Sequence, residues 1–129
     1  MINYEPIIAR ELKNDPNIKE MTGDRVFAGN FPQEFTVAFP HILVVEMENV
    51  DTHYWDNKAV ACDIDLQVNI WIKSDDDIGP IQSAVDRKMK ALRCRRVTSS
   101  SFDESERDAF RKALLYRTTV KLKEENING

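Results

Sequence analysis

The stretch AVACDIDLQVNIWIK, residues 59–73, carries an apolar side chain at every second position. That period is typical of a β-strand, because successive strand side chains point to opposite faces of a sheet. One face is wholly apolar and consists of Val60, Cys62, Ile64, Leu66, Val68, Ile70 and Ile72. The other face carries Asp63, Asp65, Gln67, Asn69, Trp71 and Lys73. The pattern therefore predicts a strand with one face on a core and the other face without one.

A strand of this length would run about 50 Å at 3.3 Å per residue, so we expect it to project past its neighbours or to bend. The alternating stretch HILVVEMENV, residues 41–50, predicts its hairpin partner. Residues 51–58 then form a broad hairpin tip that contains Tyr54 and Trp55. These two aromatic residues either contact a partner, since aromatic residues are enriched in interface cores, or pack against the flank of the hairpin.

Residue spacing predicts two helices and three further strands. In chain order they are a helix at 4–13, a strand at 25–28, a helix at 78–92, a weak strand at 95–102 and a terminal strand at 114–123, with a helical start as an alternative for 102–115. This order indicates a single α+β domain over residues 1–129, with a frayed tail at 124–129. Its sheet is mainly antiparallel, contains the long hairpin, and has its helices packed on one face.

The polar faces of the stretches at 59–73 and 114–123 carry charges of opposite sign. The acids Asp63 and Asp65 would pair with Arg117, Lys121 and Lys123 if the two strands were neighbours in the sheet. Residues 29–40, GNFPQEFTVAFP, hold neither period but contain Phe31, Phe35 and Phe39. Because loops normally face water, these phenylalanines either fold back onto the domain or enter a neighbouring chain.

The composition argues against several classes of protein. A net charge of −4 argues against a surface built to hold nucleic acid, and the basic stretch at residues 87–96 also suits the C-terminus of a helix. The two cysteines, Cys62 and Cys94, are too few for a disulfide framework and are expected to be reduced. No apolar run is long enough to span a membrane, so we expect a soluble protein made in the cytoplasm.

Motifs for catalysis or cofactor binding are absent from the sequence, and no cofactor is predicted. There is no phosphate-binding glycine loop, and His41 and His53 stand at no metal-ligand spacing. One enzymatic alternative stays open, in which Glu46, Glu48 or Asp51 and the Asp63-x-Asp65 pair hold Mg²⁺ as in hairpin-type nucleases. Gln67 stands where such enzymes usually have a lysine. A monomeric adaptor or ligand-binding module is a further alternative.

The whole plan resembles the tail-terminator or tail-completion proteins of long-tailed bacteriophages. The similarity rests on the order of elements and on four stretches: GDRVF at 23–27, FPHILV at 39–44, VNIWIKSDDD at 68–77 and LLYRTTVKL at 114–122. It implies a non-enzymatic virion protein that forms a ring, usually a hexamer, at the head-proximal end of the tail. The implied partners are the tail tube protein and the head-tail connector protein, with DNA only as cargo and no membrane.

The resemblance supplies no functional motif, so the interface candidates come from this sequence alone. They are Phe31, Phe35, Phe39, Tyr54, Trp55, Asp63, Asp65 and Trp71. The acidic balance also suits a conduit for DNA, because clustered cations would hold the phosphates.

Overall fold

A computed structural model describes residues 1–31 and 38–122, and over these residues the chain is an α+β domain, as predicted. Its elements are α1 (Glu5–Asn14), α2 (Pro16–Thr22), β1 (Val26–Ala28), β2 (His41–Trp55), β3 (Lys58–Lys73), α3 (Gly79–Ala91), β4 (Arg95–Glu104), a 3₁₀ turn (Ser105–Arg107) and β5 (Ala109–Lys121). The predicted frayed tail lies outside the described residues.

The five strands form one sheet in the order β1-β2-β3-β5-β4. β1 runs parallel to β2, and every other neighbouring pair is antiparallel. The stretch singled out by its alternation is the central strand β3, which pairs with β2 on one side and β5 on the other. The helical alternative for residues 102–115 is wrong, because β4 and β5 occupy most of that range.

The helices pack on one face of the sheet, and the core lies between the two layers. The apolar side chains of β3 from Cys62 to Ile72 are buried there, as their period predicts, while Val60 at the start of the strand is only partly buried. The helices contribute Ile8, Leu12, Ile18, Ile81, Val85 and Met89. Local signals set the helix starts, since a proline stands in the first turn of each. Asp15 also caps α2 by accepting hydrogen bonds from the backbone of Asn17 (3.0 Å) and Ile18 (3.2 Å).

The predicted broad hairpin tip is wrong, because β2 and β3 continue to a tight turn of two residues. Asp56 and Asn57 form this turn with φ angles of 52° and 63°. Positive φ at both central residues is the geometry of a type I′ turn, which matches the twist of the flanking strands. Asn and Asp tolerate that geometry better than most residues. The aromatic residues Tyr54 and Trp55 therefore lie on a strand rather than in a loop.

The prediction that the second face of β3 lacks a core is also wrong at one end of the strand. We call the sheet face opposite the helices the outer face. On it, Trp71 is only 7% exposed and Asn69 only 2%. Rings of Phe31 and His41 lie 5.2 and 5.1 Å from the Trp71 ring, between centroids. A small aromatic cluster therefore covers this end of the outer face.

Candidate assembly interface

The tip of the β2–β3 hairpin presents aromatic surface to solvent. Trp55 is 73% exposed and Tyr54 is 62% exposed, and all residues from 51 to 58 are exposed. The Tyr54 hydroxyl reaches only the Asp51 carbonyl, at 3.4 Å. Neither ring is buried on the flank of the hairpin. Exposed aromatic area concentrated at one end of a domain is typical of a protein contact site.

An apolar groove of about 540 Å³ lies beside this tip. The groove continues the apolar surface of Trp55 onto the ends of β3 and β5. It is lined by His53, Trp55, Val60, Ala61, Thr119, Lys121 and Leu122. The tip and the groove together form a surface that a partner's apolar side chain could enter, and we call this surface the tip site.

A row of charged residues crosses the outer face at mid-sheet. In register, Glu48 faces Asp65, Asp65 faces Arg117, and Arg117 faces Arg95. The Arg117 Nε and Nη2 atoms donate to the two carboxylate oxygens of Asp65 at 2.8 and 3.1 Å. This bidentate pair confirms the charge match predicted between these two strands. Asp65 is 8% exposed, so its carboxylate offers little area to another molecule.

The other predicted charge pairs differ. Asp63 faces Thr119 and accepts a hydrogen bond from its hydroxyl at 2.6 Å, so its cross-strand partner is neutral. Lys121 faces Ala61 instead of an acid. Lys123 lies outside the described residues. The register of β3 against β5 decides these partners, and alternation alone does not fix a register.

The hydrogen bonds from Arg117, opposed in part by burial, lower the pKa of Asp65 below its ordinary value of 3.8. A carboxyl whose pKa is lower in the folded than in the unfolded state stabilises the fold above its unfolded pKa. That contribution disappears as the pH falls through the lower, folded pKa. We therefore expect the stability difference between the wild type and Asp65→Asn to be constant near neutral pH and to shrink below about pH 4.

Urea unfolding of both proteins over a pH series measures this difference. The double variant Asp65→Asn with Arg117→Gln is the control, because it and Asp65→Asn both lack the titrating carboxyl, so the stability difference between these two variants should not change with pH. A stability difference that grows as the pH falls would contradict a lowered Asp65 pKa.

The acids proposed for Mg²⁺ do not come together as a metal site. Asp65 is held by Arg117, and Asp63 is held by Thr119. Within residues 1–31 and 38–122, no three side chains of His, Cys, Asp or Glu are placed to hold one metal ion. The small hollow between Glu48, Asp63 and Arg117 measures about 180 Å³, and the positively charged Arg117 side chain lines it. Its geometry favours a structural ion pair.

Three of the other interface candidates contact their own domain. Phe31, Phe39 and Trp71 surround His41, with Phe39 stacked on the His41 ring at 5.2 Å between centroids. At Phe31 and Phe39 this arrangement matches the alternative in which these phenylalanines fold back onto the domain. Phe35 lies outside the described residues. Of the seven candidates that the structure describes, Tyr54 and Trp55 are the two with large exposed areas.

A polar network beneath the aromatic cluster was not predicted. Arg111 donates to Asn69 Oδ1 at 2.9 Å and to Glu104 Oε2 at 3.1 Å, and its guanidinium lies 4.1 Å from the Phe102 ring centroid. Trp71 Nε1 donates to the same Glu104 at 3.1 Å. These residues are far apart in sequence, so no local spacing could have indicated the network. On the outer face, the network connects β4 and β5 to β3.

Burial and hydrogen bonding also shift the pKa of a second carboxyl, that of Asp86 on the helix face. Burial raises the pKa of Asp86, but hydrogen bonds from Lys90 and Tyr116 and the Arg96 charge outweigh it, so the net pKa is lowered. The Tyr116 hydroxyl donates to Asp86 Oδ1 at 2.7 Å. This group ties α3 to β5 and is structural.

Within the described residues, none of the helices has the length and apolar character needed to cross a membrane. A protein-family model described as tail completion protein gp17 matches residues 6–122. No curated protein matches the chain. The matched span contains all the strands, the tip site and most of α1.

Proposed function

Because the chain belongs to the tail completion protein gp17 family, whose model spans residues 6–122, we propose that it forms a ring that caps the tail tube of a long-tailed phage and joins it to the head connector. The protein is a structural component of the phage tail. The family match confirms the resemblance found in the sequence. It is also the single observation that carries this proposal.

Two structural features support a ring. The sheet has two different edges. One edge consists of β1 and the part of β2 that does not pair with β1, and the other edge is β4. Unlike edges allow head-to-tail contacts, which close into a ring when the rotation between copies permits. The tip site supplies exposed aromatic area at one end of the hairpin, where a second contact to the tube or the connector can form.

Charge supports the passage of DNA through the ring. The chain carries a net charge of −4, and the acids Glu48, Asp51 and Asp56 lie exposed along the hairpin. Acidic groups repel phosphates, so DNA would slide past this hairpin without being held. Two carboxylates of the outer face, those of Asp63 and Asp65, are engaged in structural contacts, which agrees with a protein that acts by assembly.

The test is the mass of the protein bound to purified tail tubes. We expect native mass spectrometry to find a closed ring of identical chains, most simply six, on one end of each tube. Tubes incubated with an unrelated acidic protein of similar size are the control. Bound monomers, or binding along the whole tube, would contradict the ring.

A further inference from the structure

β4 (Arg95–Glu104) is an edge strand with an unusual amount of free surface. It pairs with β5 on one side, and within the described residues no strand pairs with its other side. Nine of its ten residues are exposed, including the apolar Val97 and Phe102. An open edge carries unpaired backbone donors and acceptors, and proteins usually cover such edges or protect them with charges. In β4, the basic and acidic side chains lie at opposite ends of the strand.

The sequence of β4, RRVTSSSFDE, has two bases at its start, two acids at its end and three serines between them. A second copy running antiparallel would bring the bases of each strand next to the acids of the other. Arg95 would then lie opposite Glu104, which Arg111 also contacts within the chain, and Arg96, which also pairs with Asp86 at 3.3 Å, would lie opposite Asp103. Opposite charges directly across an antiparallel pair are stabilising, whereas a parallel copy would place like charges together.

The side-chain faces also match, because of an irregularity in β4. Paired residues in antiparallel strands must point to the same face of the sheet. The register against β5 shifts between Arg96 and Thr98, so Val97 is an extra, bulged residue. The outer face therefore carries Arg95, Thr98, Ser100, Phe102 and Glu104, and the helix face carries Arg96, Ser99, Ser101 and Asp103.

With a two-fold axis at Ser100, the two residues of each facing pair point to the same face of the sheet. Ser100 meets its own copy, Ser99 meets Ser101, and Thr98 meets Phe102. Beyond the bulge, Arg95 meets Glu104 on the outer face and Arg96 meets Asp103 on the helix face. Without the bulge, the two members of each charged pair would point to opposite faces of the sheet. The irregularity thus makes the strand complementary to itself.

We propose that two copies of this chain pair through their β4 strands, antiparallel about a two-fold axis at Ser100. Charges next to the strand extend the match. Lys90 and Arg93 lie exposed at the basic end, and Glu106 and Asp108 lie exposed at the acidic end, beside Arg107, which pairs with Glu104 of its own chain. The contact is closed, since each copy uses the same edge, so it forms dimers of the free chain and adds no third copy. It does not rest on the proposed ring, and it concerns the free chain, in which the β4 edge makes no head-to-tail contact.

The first test is the mass of the free chain, without tail tubes, by sedimentation over a concentration series. We expect a reversible dimer of twice the 14.9 kDa chain mass. Ser100→Lys places two like charges on the axis and should weaken the dimer about tenfold or more. Ser83→Lys, on the exposed surface of α3, adds the same charge elsewhere and should leave the dimer unchanged.

The second test locates the contact. Facing residues in antiparallel strands lie about 4.5 to 5.5 Å apart between Cα atoms, which suits a disulfide. Ser100→Cys should therefore form a cross-linked dimer on mild oxidation, while the matched Ser83→Cys should not. The natural Cys62 and Cys94 are 1% and 2% exposed and should stay unreacted.

A free chain that stays monomeric at every concentration would overturn the proposal. So would a dimer that resists Ser100→Lys and fails to cross-link through Ser100→Cys, because it would use another surface. Thermal unfolding of each variant checks that it is folded. Since neither test contains tail tubes, failure here would leave the ring untouched, and failure of the ring test would leave the dimer untouched.

Discussion

Leu66→Ala is expected to lower the free energy of unfolding by about 2 to 5 kcal/mol. Leu66 lies on the core face of the central strand, is 0% exposed, and has Tyr116 of β5 as its register partner. Truncation removes buried apolar area and leaves a cavity that strands paired on both sides cannot easily close. Chemical denaturation measures the loss as a lower midpoint with an unchanged slope.

The same truncation on the outer face provides the control. Leu115 of β5 is only partly buried and faces Gln67, so Leu115→Ala should cost much less than Leu66→Ala. Asp65→Ala, next to Leu66 in sequence, should also cost far less. If either outer-face variant proved more destabilising than Leu66→Ala, the core would have been assigned to the wrong face of the sheet.

Alternation was enough to predict the central strand because it held through residues 59–73 and one face had to be buried. β3 (Lys58–Lys73) matches the predicted stretch closely. The last strand alternates in the same way, and Leu114 and Tyr116, which share one of its faces, are both buried. A one-residue slip would expose every apolar side chain on that face, so the pattern fixes which residues are inside.

Alternation could not predict what covers the outer face. The cluster there joins Phe31 and Phe39 of the irregular segment to His41 and Trp71 on the strands. The cover comes from residues that stand 40 and 32 positions before Trp71 in the chain, and no local period records that contact. The hairpin turn was missed for a different reason. Asp56 and Asn57 each suit positive φ, but the sequence prediction assigned all of residues 51–58 to the tip.

Tyr54 and Trp55 were interface candidates from sequence because aromatic residues are enriched in interface cores. The structure adds what sequence could not give, namely that Trp55 lies on the exposed end of β2 beside an apolar groove. Sequence reasoning grouped it with Trp71, whose ring is buried. The two tryptophans therefore allow folding to be separated from assembly.

Trp55→Ala is expected to leave folding intact and to weaken attachment to the tail tube or head connector by about 2 kcal/mol or more, which is a loss of about thirtyfold in affinity. The side chain is 73% exposed, so its removal should change the free energy of unfolding by no more than about 0.5 kcal/mol. A tryptophan enclosed by a partner, in contrast, is a frequent source of binding energy. Binding to purified tubes and thermal unfolding measure the two effects separately.

Trp71→Ala is the matched control, because it removes the same side chain from a buried position. It should cost about 3 to 5 kcal/mol of stability, since it empties the aromatic cluster and breaks the 3.1 Å hydrogen bond to Glu104. Its effect on assembly should follow only from the loss of folded protein. If Trp55→Ala unfolded as readily as Trp71→Ala, the tip would belong to the domain's own core. If it stayed folded and bound tubes and connectors with unchanged affinity, the tip site would not be an assembly surface, and the partner contact would have to lie on the sheet edges.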